Sequence, residues 1–312
     1  MLGSVADGQR LWARAGKAGT GGDQSGDSDA SRVVAVTDDA ELVFDRVAEE
    51  YDRVRPGYPA FLVDTACSTA RLRAGSRVLE VGCGTGKLTD ALVERGLHVD
   101  AVDPGPQLVE VARRRLAGST VRFHVGRFED VELPAAAFEA VFSATAFHWV
   151  DPAVGWAKAA RLLRPEGVLV LLTHVGGSFL ELDADFLAAW REVLPDAQTW
   201  VSRDAQTLWE GAEARRTNVS ELWAWLVKRE IARPEAAELF GDVRLTTLPI
   251  EREETSAESL AHIRTASAYL LLDSDRQERL EKRLAAVIED RGGSWRSTTF
   301  ATLVTARLSD AG

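Results

Sequence analysis

The chain has 312 residues, enough to bury a full core, and 37 Lys and Arg against 48 Asp and Glu give a formal charge of −11. That balance, with no compact Lys/Arg patch to offset it, argues against a nucleic-acid partner. No apolar run is long enough for a membrane span and no basic-then-apolar signal pattern opens the chain, so a cytoplasmic protein is expected. Cys67 and Cys83 are then reduced thiols that form no metal-ligand pattern.

Residues 1–38 are rich in Gly, Ser, Asp and Ala and cannot bury enough apolar surface to fold alone. They read as a flexible tail, with a short lid helix around Leu11 and Trp12 as the alternative. Over 39–58, Phe44, Val47 and Tyr51 recur at helical spacing until Pro56-Gly57 ends the pattern. A second helix is expected over 59–71, with Phe61, Leu62 and Ala66 on its apolar face. Val78, Leu79 and Val81 then read as a buried strand, followed by Gly82, Gly84 and Gly86 at alternate positions and a helix over 88–94. Missing side chains let the backbone approach a ligand there, and free N–H groups at the helix start face it. A second strand, 97–102, ends in Asp103, placed to accept hydrogen bonds from a ribose hydroxyl pair. The spacing is G-x-G-x-G rather than the dinucleotide G-x-G-x-x-G, and Glu80 stands two residues before the first glycine. A carboxylate there would oppose a pyrophosphate but suits a ligand carrying an ammonium or sulfonium.

Glu80-Val81-Gly82-Cys83-Gly84-Thr85-Gly86 resembles the first motif of the class I S-adenosylmethionine-dependent methyltransferases, and Asp103 resembles their ribose-binding acid. The stretch from Phe44 to Pro59, FDRVAEEYDRVRPGYP, resembles the segment ahead of that motif in a small-molecule branch that includes the trans-aconitate type. The resemblance implies that Tyr51 and Arg55 lie at the methionine end of the cofactor, Arg55 holding its carboxylate by charge-assisted bonds or else forming a surface salt bridge. Tyr58 falls on the substrate side, and Pro104 and Gln107 sit where the ribose passes, ahead of a helix over 107–116. After a third strand, 121–125, comes Gly126-Arg127-Phe128-Glu129-Asp130, the junction that lies against the adenine in the family. Arg127 stands near a place that often holds aspartate there. Phe128 stacking and Glu129 or a backbone amide reading the adenine edge is the preferred assignment, with Phe128 as a core residue the alternative.

A fourth strand, 138–143, runs into Ala144 and then Phe147-His148-Trp149-Val150-Asp151-Pro152, which resembles the fourth motif of the same branch. Ala144 and Phe147 should therefore face the cofactor, since the crevice of an open parallel sheet lies beyond the carboxyl ends of its strands. The Asn/Asp-Pro-Pro-aromatic sequence of several nitrogen- and DNA-acting enzymes is absent, which points to hydroxyl, carbon or carboxylate methylation. His148 is the leading general base, or else orders its loop through the backbone; His174 and His262 are further candidates for the substrate side.

A helix over 154–163 should end at Arg164-Pro165-Glu166-Gly167, with a fifth strand over 168–173. Residues 176–239 are expected to form a helical cap, with Trp190, Trp200 and Trp209 lining the substrate side. Of Trp223 and Trp225 at least one is core, because neighbours two apart cannot face the same way on a helix. Arg203, Arg215 and Arg216 are candidates to receive a carboxylate acceptor, or surface residues. A sixth strand (240–251), helices over 256–271 and 274–291, and a seventh strand (295–308) complete the chain.

The resemblance thus implies an α/β, Rossmann-like seven-stranded sheet of order 3-2-1-4-5-7-6, strand 7 antiparallel, with helices on both faces and a cap after strand 5. Residues 39–175 and 240–312 make its core. It further implies methyl transfer from S-adenosylmethionine, with S-adenosylhomocysteine as product, to a hydroxyl or carboxylate oxygen of a small metabolite or natural-product intermediate, by a monomer or homodimer without metal. An S-adenosylmethionine-binding enzyme running a cyclisation or elimination, or a non-catalytic binding protein, are the alternatives.

Overall fold

The computed structural model describes residues 40–176, 183–194 and 205–309. The tail with its Leu11–Trp12 alternative, Trp200 and Arg203 lie outside the described residues. One sheet holds seven strands: β1 (Arg77–Val81), β2 (His98–Asp103), β3 (Arg122–Val125), β4 (Phe138–Ala144), β5 (Leu163–Gly176), β6 (Phe240–Thr255) and β7 (Ser294–Leu308). Their order is β3-β2-β1-β4-β5-β7-β6, and β7 runs antiparallel to both neighbours while β1 to β5 are parallel, as expected.

Helices cover both faces, which is why the central strands are nearly continuous apolar runs rather than alternating ones. On one face, Leu62 and Val63 of α2 (Ala60–Thr69) and Leu88 and Leu92 of α3 (Lys87–Glu94) pack on Val78, Val99, Phe142 and Val170. On the other, Trp156 and Leu162 of α5 (Pro152–Leu162) and Leu222 and Trp223 of α8 (Val219–Val227) pack on Leu79, Val141, Leu169 and Val304. Asp151 starts α5 by accepting from the Ala153 N–H, and Asn218 starts α8 by accepting from Ser220 and Glu221. Between them lie α4 (Pro106–Arg115), α6 (Asp183–Val193) and α7 (Ala205–Glu213), while α1 (Ala48–Val54) precedes α2 and continues a 3-10 turn, Ala40–Val47.

The helical insertion expected after β5 is present, and its helices divide between two packing layers. α7, α8 and α9 (Ala236–Leu239) join the sheet-covering layer, with Leu208, Trp223 and Ala236 in the same core as Val304. α6 instead leaves the sheet: its Phe186 and Trp190 pack with Ile263 of α10 (Ser256–Arg264), Tyr269 of α11 (Ser267–Leu270), and Leu280, Leu284 and Ile288 of α12 (Ser274–Glu289). This second cluster sits at the outer end of the β6–β7 pair, which continues to Thr255 and Ser294 after the β5–β7 register has ended at Gly176 and Thr299.

Two element boundaries differ from expectation. β5 begins at Leu163, with Glu166 at positive φ and a register shift against β4 between Phe138 and Ala140, so the Arg164–Gly167 turn is absorbed into an irregular strand start. The single helix expected over 256–271 is broken at Thr265 and Ala266, whose extended ψ of 137° ends α10 and starts α11. The Thr265 carbonyl is turned to accept from the Arg55 guanidinium, at 2.8 Å, instead of continuing the helix.

Candidate functional site

A crevice opens beyond the carboxyl ends of β1, β2 and β4, at the place where the strand order reverses. Its floor is the glycine turn. Gly82, Gly84 and Gly86 all have positive φ, but they serve different ends. A Cβ on Gly82 would run into the Ala146 methyl, and one on Gly86 would come within 3.0 Å of the Ala112 methyl of α4. A Cβ on Gly84 meets nothing within 4 Å. Gly82 and Gly86 are therefore packing positions, whereas Gly84 leaves open space beside the Asp103 carboxylate. Cys83 and Thr85, between them, are buried and do not line the crevice, and Gly86 caps the start of α3.

Asp103 anchors the floor. Its Oδ2 accepts from the Gly84 N–H and its Oδ1 from the Gly105 N–H, both at 2.8 Å. Burial lifts the carboxyl to about 6, against the two N–H bonds that favour its ionised form, with Asp45 adding to the rise. Asp45 was not singled out from the sequence: its Oδ1 accepts from the Gln107 and Leu108 N–H groups at 2.7 and 2.9 Å and so caps α4 from another segment. Gln107 is thereby a backbone contributor to the α4 start and does not line the crevice, while Pro104 does.

Glu80 stands elsewhere than the sequence suggested. It is 1 % exposed and absent from the crevice wall; the Thr89 hydroxyl of α3 donates to it at 2.7 Å, and burial raises its pKa to about 8. It ties β1 to α3 behind the turn.

The adenine-side candidates Phe128 and Glu129 both line the crevice. Phe128 is 3 % exposed and near Phe147, so the stacking and core readings describe one ring with two sides. Glu129 is already engaged through Oε1, which accepts from the Asp151 N–H at 2.6 Å. Ala144 lines the crevice; Phe147 does not, being packed edge-on against Trp156 at 4.8 Å. Trp149, beside it, takes the wall position instead.

The roof comes from both ends of the chain. Phe44 and Tyr51 line it, their rings 5.5 Å apart, and Ala266 and Ser267 of the α10–α11 break close it. Arg55 joins the two: Nε donates to the Thr265 hydroxyl at 2.9 Å and Nη2 to the Thr265 carbonyl. Two of the three nitrogens expected at a cofactor carboxylate are thus committed to the roof. His262 belongs to the same clamp, with Nε2 3.2 Å from the Val54 carbonyl and Nδ1 3.5 Å from Glu254, and it lies outside the crevice wall.

Of the substrate-side candidates, Tyr58 stacks on His174 at 5.0 Å between centroids and hydrogen-bonds the Thr145 hydroxyl. Thr145 lines the crevice with φ of 52°, a strained conformation for a β-branched residue. Of the tryptophans expected over the substrate, the two that are described lie elsewhere: Trp190 is in the α6–α12 cluster and Trp209 packs against Phe300 at 5.4 Å under the sheet. Aromatic area there is spent on joining helices to each other and to the sheet.

His148 lines the crevice, with Nδ1 buried and without a hydrogen-bond partner. Burial, aided by the nearby Arg229 charge, pushes its pKa down to about 3; burial with Arg252 and Arg55 pushes His174 down to about 4. The imidazole is therefore neutral at physiological pH, the state a base needs, but too weakly basic to give an activity limb near the ordinary histidine pKa. Among the described residues no group of His, Cys, Asp and Glu side chains could hold a metal ion, and no helix is long and apolar enough to cross a membrane.

With this geometry in view, residues 79–171 match the family described as a methyltransferase domain. An uncharacterized methyltransferase of Mycobacterium tuberculosis is 44 % identical over 134 residues, which cover 43 % of this chain and 53 % of the relative. The malonyl-[acyl-carrier protein] O-methyltransferase of Serratia marcescens is 37 % identical over 120 residues, 38 % of this chain and 45 % of the relative. A ubiquinone biosynthesis O-methyltransferase of Xylella fastidiosa is 40 % identical over 105 residues, 32 % and 42 % of the two chains. The chain thus spans about half the length of the curated relatives it matches. Among solved structures, a candidate type II methyltransferase of Anaeromyxobacter dehalogenans shares the fold, with a TM-score of 0.52 at 24 % identity over 81 % of this chain and 97 % of that one. The matched residues 79–171 take in β1 from Leu79, the glycine turn, Asp103 and the strand ends that form the crevice floor.

Proposed function

We propose that the protein transfers the methyl group of S-adenosylmethionine to an oxygen atom of a small molecule. The observation that carries this reading is the meeting of the open Gly84 backbone with the buried Asp103 carboxylate at the crevice floor, inside the matched domain. These residues fit the cofactor. Gly84 has room where a Cβ would intrude, and Asp103 retains acceptor capacity for ribose hydroxyls beyond its two backbone bonds. Phe128 and Glu129 would border the adenine, and Tyr51 with the remaining Arg55 nitrogen the methionine end. When bound, S-adenosylmethionine supplies a sulfonium-activated methyl group open to in-line displacement.

The chain's own residues then align and desolvate rather than react. Phe44, Trp149 and the Ala266–Ser267 corner exclude water from the crevice. Neutral His148 offers a buried ring nitrogen that orients an acceptor hydroxyl by a hydrogen bond. An oxygen acceptor is supported by the O-methyltransferase relatives and by the FHWVDP sequence at the fourth strand. The finer reading, a carboxylic-acid acceptor of the trans-aconitate kind, rests on the resemblance of residues 44–59.

The test is calorimetric binding of S-adenosylhomocysteine, followed by assay of its formation from S-adenosylmethionine with a panel of small hydroxy- and carboxylic acids. Binding and acceptor-dependent formation are expected. No binding at millimolar concentration sinks the cofactor assignment, whereas binding accompanied by cyclised or eliminated product without S-adenosylhomocysteine sinks methyl transfer.

A further inference from the structure

The loop that follows α8 packs on the turn that carries His148, with Ile231 in the same core cluster as Phe147 and Val150. This packing brings Arg229 against Trp149, a residue of the crevice wall. Its guanidinium carbon lies 4.8 Å from the centroid of the Trp149 ring, and Trp149 and His148 both line the crevice. Arg229 is half-buried, and burial pulls its own pKa down, which marks a cation held at a desolvation cost. Among the described residues no acidic or carbonyl group pairs with that side chain. Next to it the Nδ1 of His148 is buried and unpartnered as well.

The two described arginines that the sequence offered for an acidic acceptor are used within the fold. Arg215 donates to the Gly211 carbonyl at 2.8 Å and covers the Trp225 ring at 4.1 Å. Arg216 pairs with Glu213 and donates to the Val243 carbonyl at 3.3 Å. Arg229 alone of the three reaches the His148 turn. A guanidinium lying on an indole keeps its edge N–H groups free, and that edge matches one carboxylate in two parallel bonds.

From this arrangement we infer that Arg229 receives the carboxylate of the acceptor molecule, with Trp149 flanking its planar portion and His148 beside it. Arg229 is then a specificity residue: it selects acidic acceptors and sets which end of the molecule enters the crevice. One cation with an aromatic flank suits a monoanionic, partly apolar acid. The inference rests on the methyl-transfer reading only in taking the crevice as the acceptor's site.

Benzoate and its neutral isostere benzamide are the probes, followed by ligand-observed NMR titration of the full chain with and without S-adenosylhomocysteine. Wild type should bind benzoate at least about tenfold more tightly than benzamide, the factor expected of a charge-assisted pair. Arg229→Gln should erase the preference, and Arg229→Lys, which keeps the charge but loses the fork, should restore part of it. Melting curves verify that both variants fold, and the lysine variant serves if the glutamine one does not. Equal binding of the two probes, no benzoate binding at millimolar concentration, or a preference that survives Arg229→Gln overturns the inference. The arm without S-adenosylhomocysteine decides Arg229 even if the cofactor assignment fails, so the two failures are separable.

Discussion

The floor and the roof of the crevice are held by different means. The floor is local: Gly82, Gly84, Asp103 and Gly105 follow two adjacent parallel strands, and their bonds cross between neighbours in the sheet. The roof is assembled over long distances, for Arg55 and Thr265 are 210 positions apart and meet only when α1 and the α10–α11 corner come together. The difference teaches that ligand chemistry in this fold is anchored on adjacent strand ends, while closure depends on a few side-chain bonds between elements distant in sequence.

The largest expected effect is on the floor. Asp103→Ala should weaken S-adenosylhomocysteine binding by one or two hydrogen bonds to a charged group, each about 1.5–3 kcal/mol, and unchanged calorimetric affinity would remove the ribose assignment. Asp103→Asn separates folding from binding, since the amide oxygen still accepts one backbone N–H. Because burial places Asp103 near 6, wild-type affinity should fall as pH drops through that value, when the carboxylate gains a proton and loses acceptor capacity. The asparagine variant should lack that dependence.

Next, Gly82→Ala and Gly84→Ala should fail in opposite ways. The first forces a Cβ against Ala146 at positive φ and should cost about 2–4 kcal/mol of stability in denaturant titration. The second meets no protein atom and should cost about 1 kcal/mol of backbone strain while blocking the ligand. Similar melting losses for both would erase the distinction between packing and ligand glycines.

A smaller effect is expected at the roof. Thr265→Ala removes one Arg55 bond and should cost about 1–2 kcal/mol, read as faster amide exchange over 256–272 with little change across 77–103. Uniform exchange throughout would mean that floor and roof open together.

A more gradual effect, spread over pH, concerns Glu80. Its folded pKa is raised, so the stability it contributes is complete below the unfolded carboxyl value of about 4.5 and is lost as pH rises through about 8. Between pH 6.5 and 8 the melting free energy should therefore decline by at most about 1.4 kcal/mol per pH unit. Glu80→Gln, which can still accept from Thr89, should flatten the decline. Buried His148 and His174 act at the other end: their lowered pKa values cost stability as pH falls below about 6.5.

The sequence by itself determined the strands, the glycine turn and Asp103, because strand periodicity and a glycine-rich turn are written in adjacent residues, while the sheet order followed from the family resemblance. It also carried the likeness that put Tyr51, Arg55, Phe128 and His148 near one crevice, the first two in the quoted 44–59 segment and the last two just beyond strand ends. Direction was beyond it. Glu80 turns behind the strand to Thr89, Phe147 turns into the core while Trp149 takes the wall, and Asp45 reaches the α4 start, each decided by which neighbour a side chain meets after packing. The tryptophans make the same point: a large apolar ring reads identically whether it faces a ligand or a helix, and only the packing of α6 on α12 put Trp190 in the latter place. The roof at Ala266 and Ser267, and Arg229 on Trp149, are likewise products of tertiary structure, because burial and charge at those positions come from segments far away in the chain.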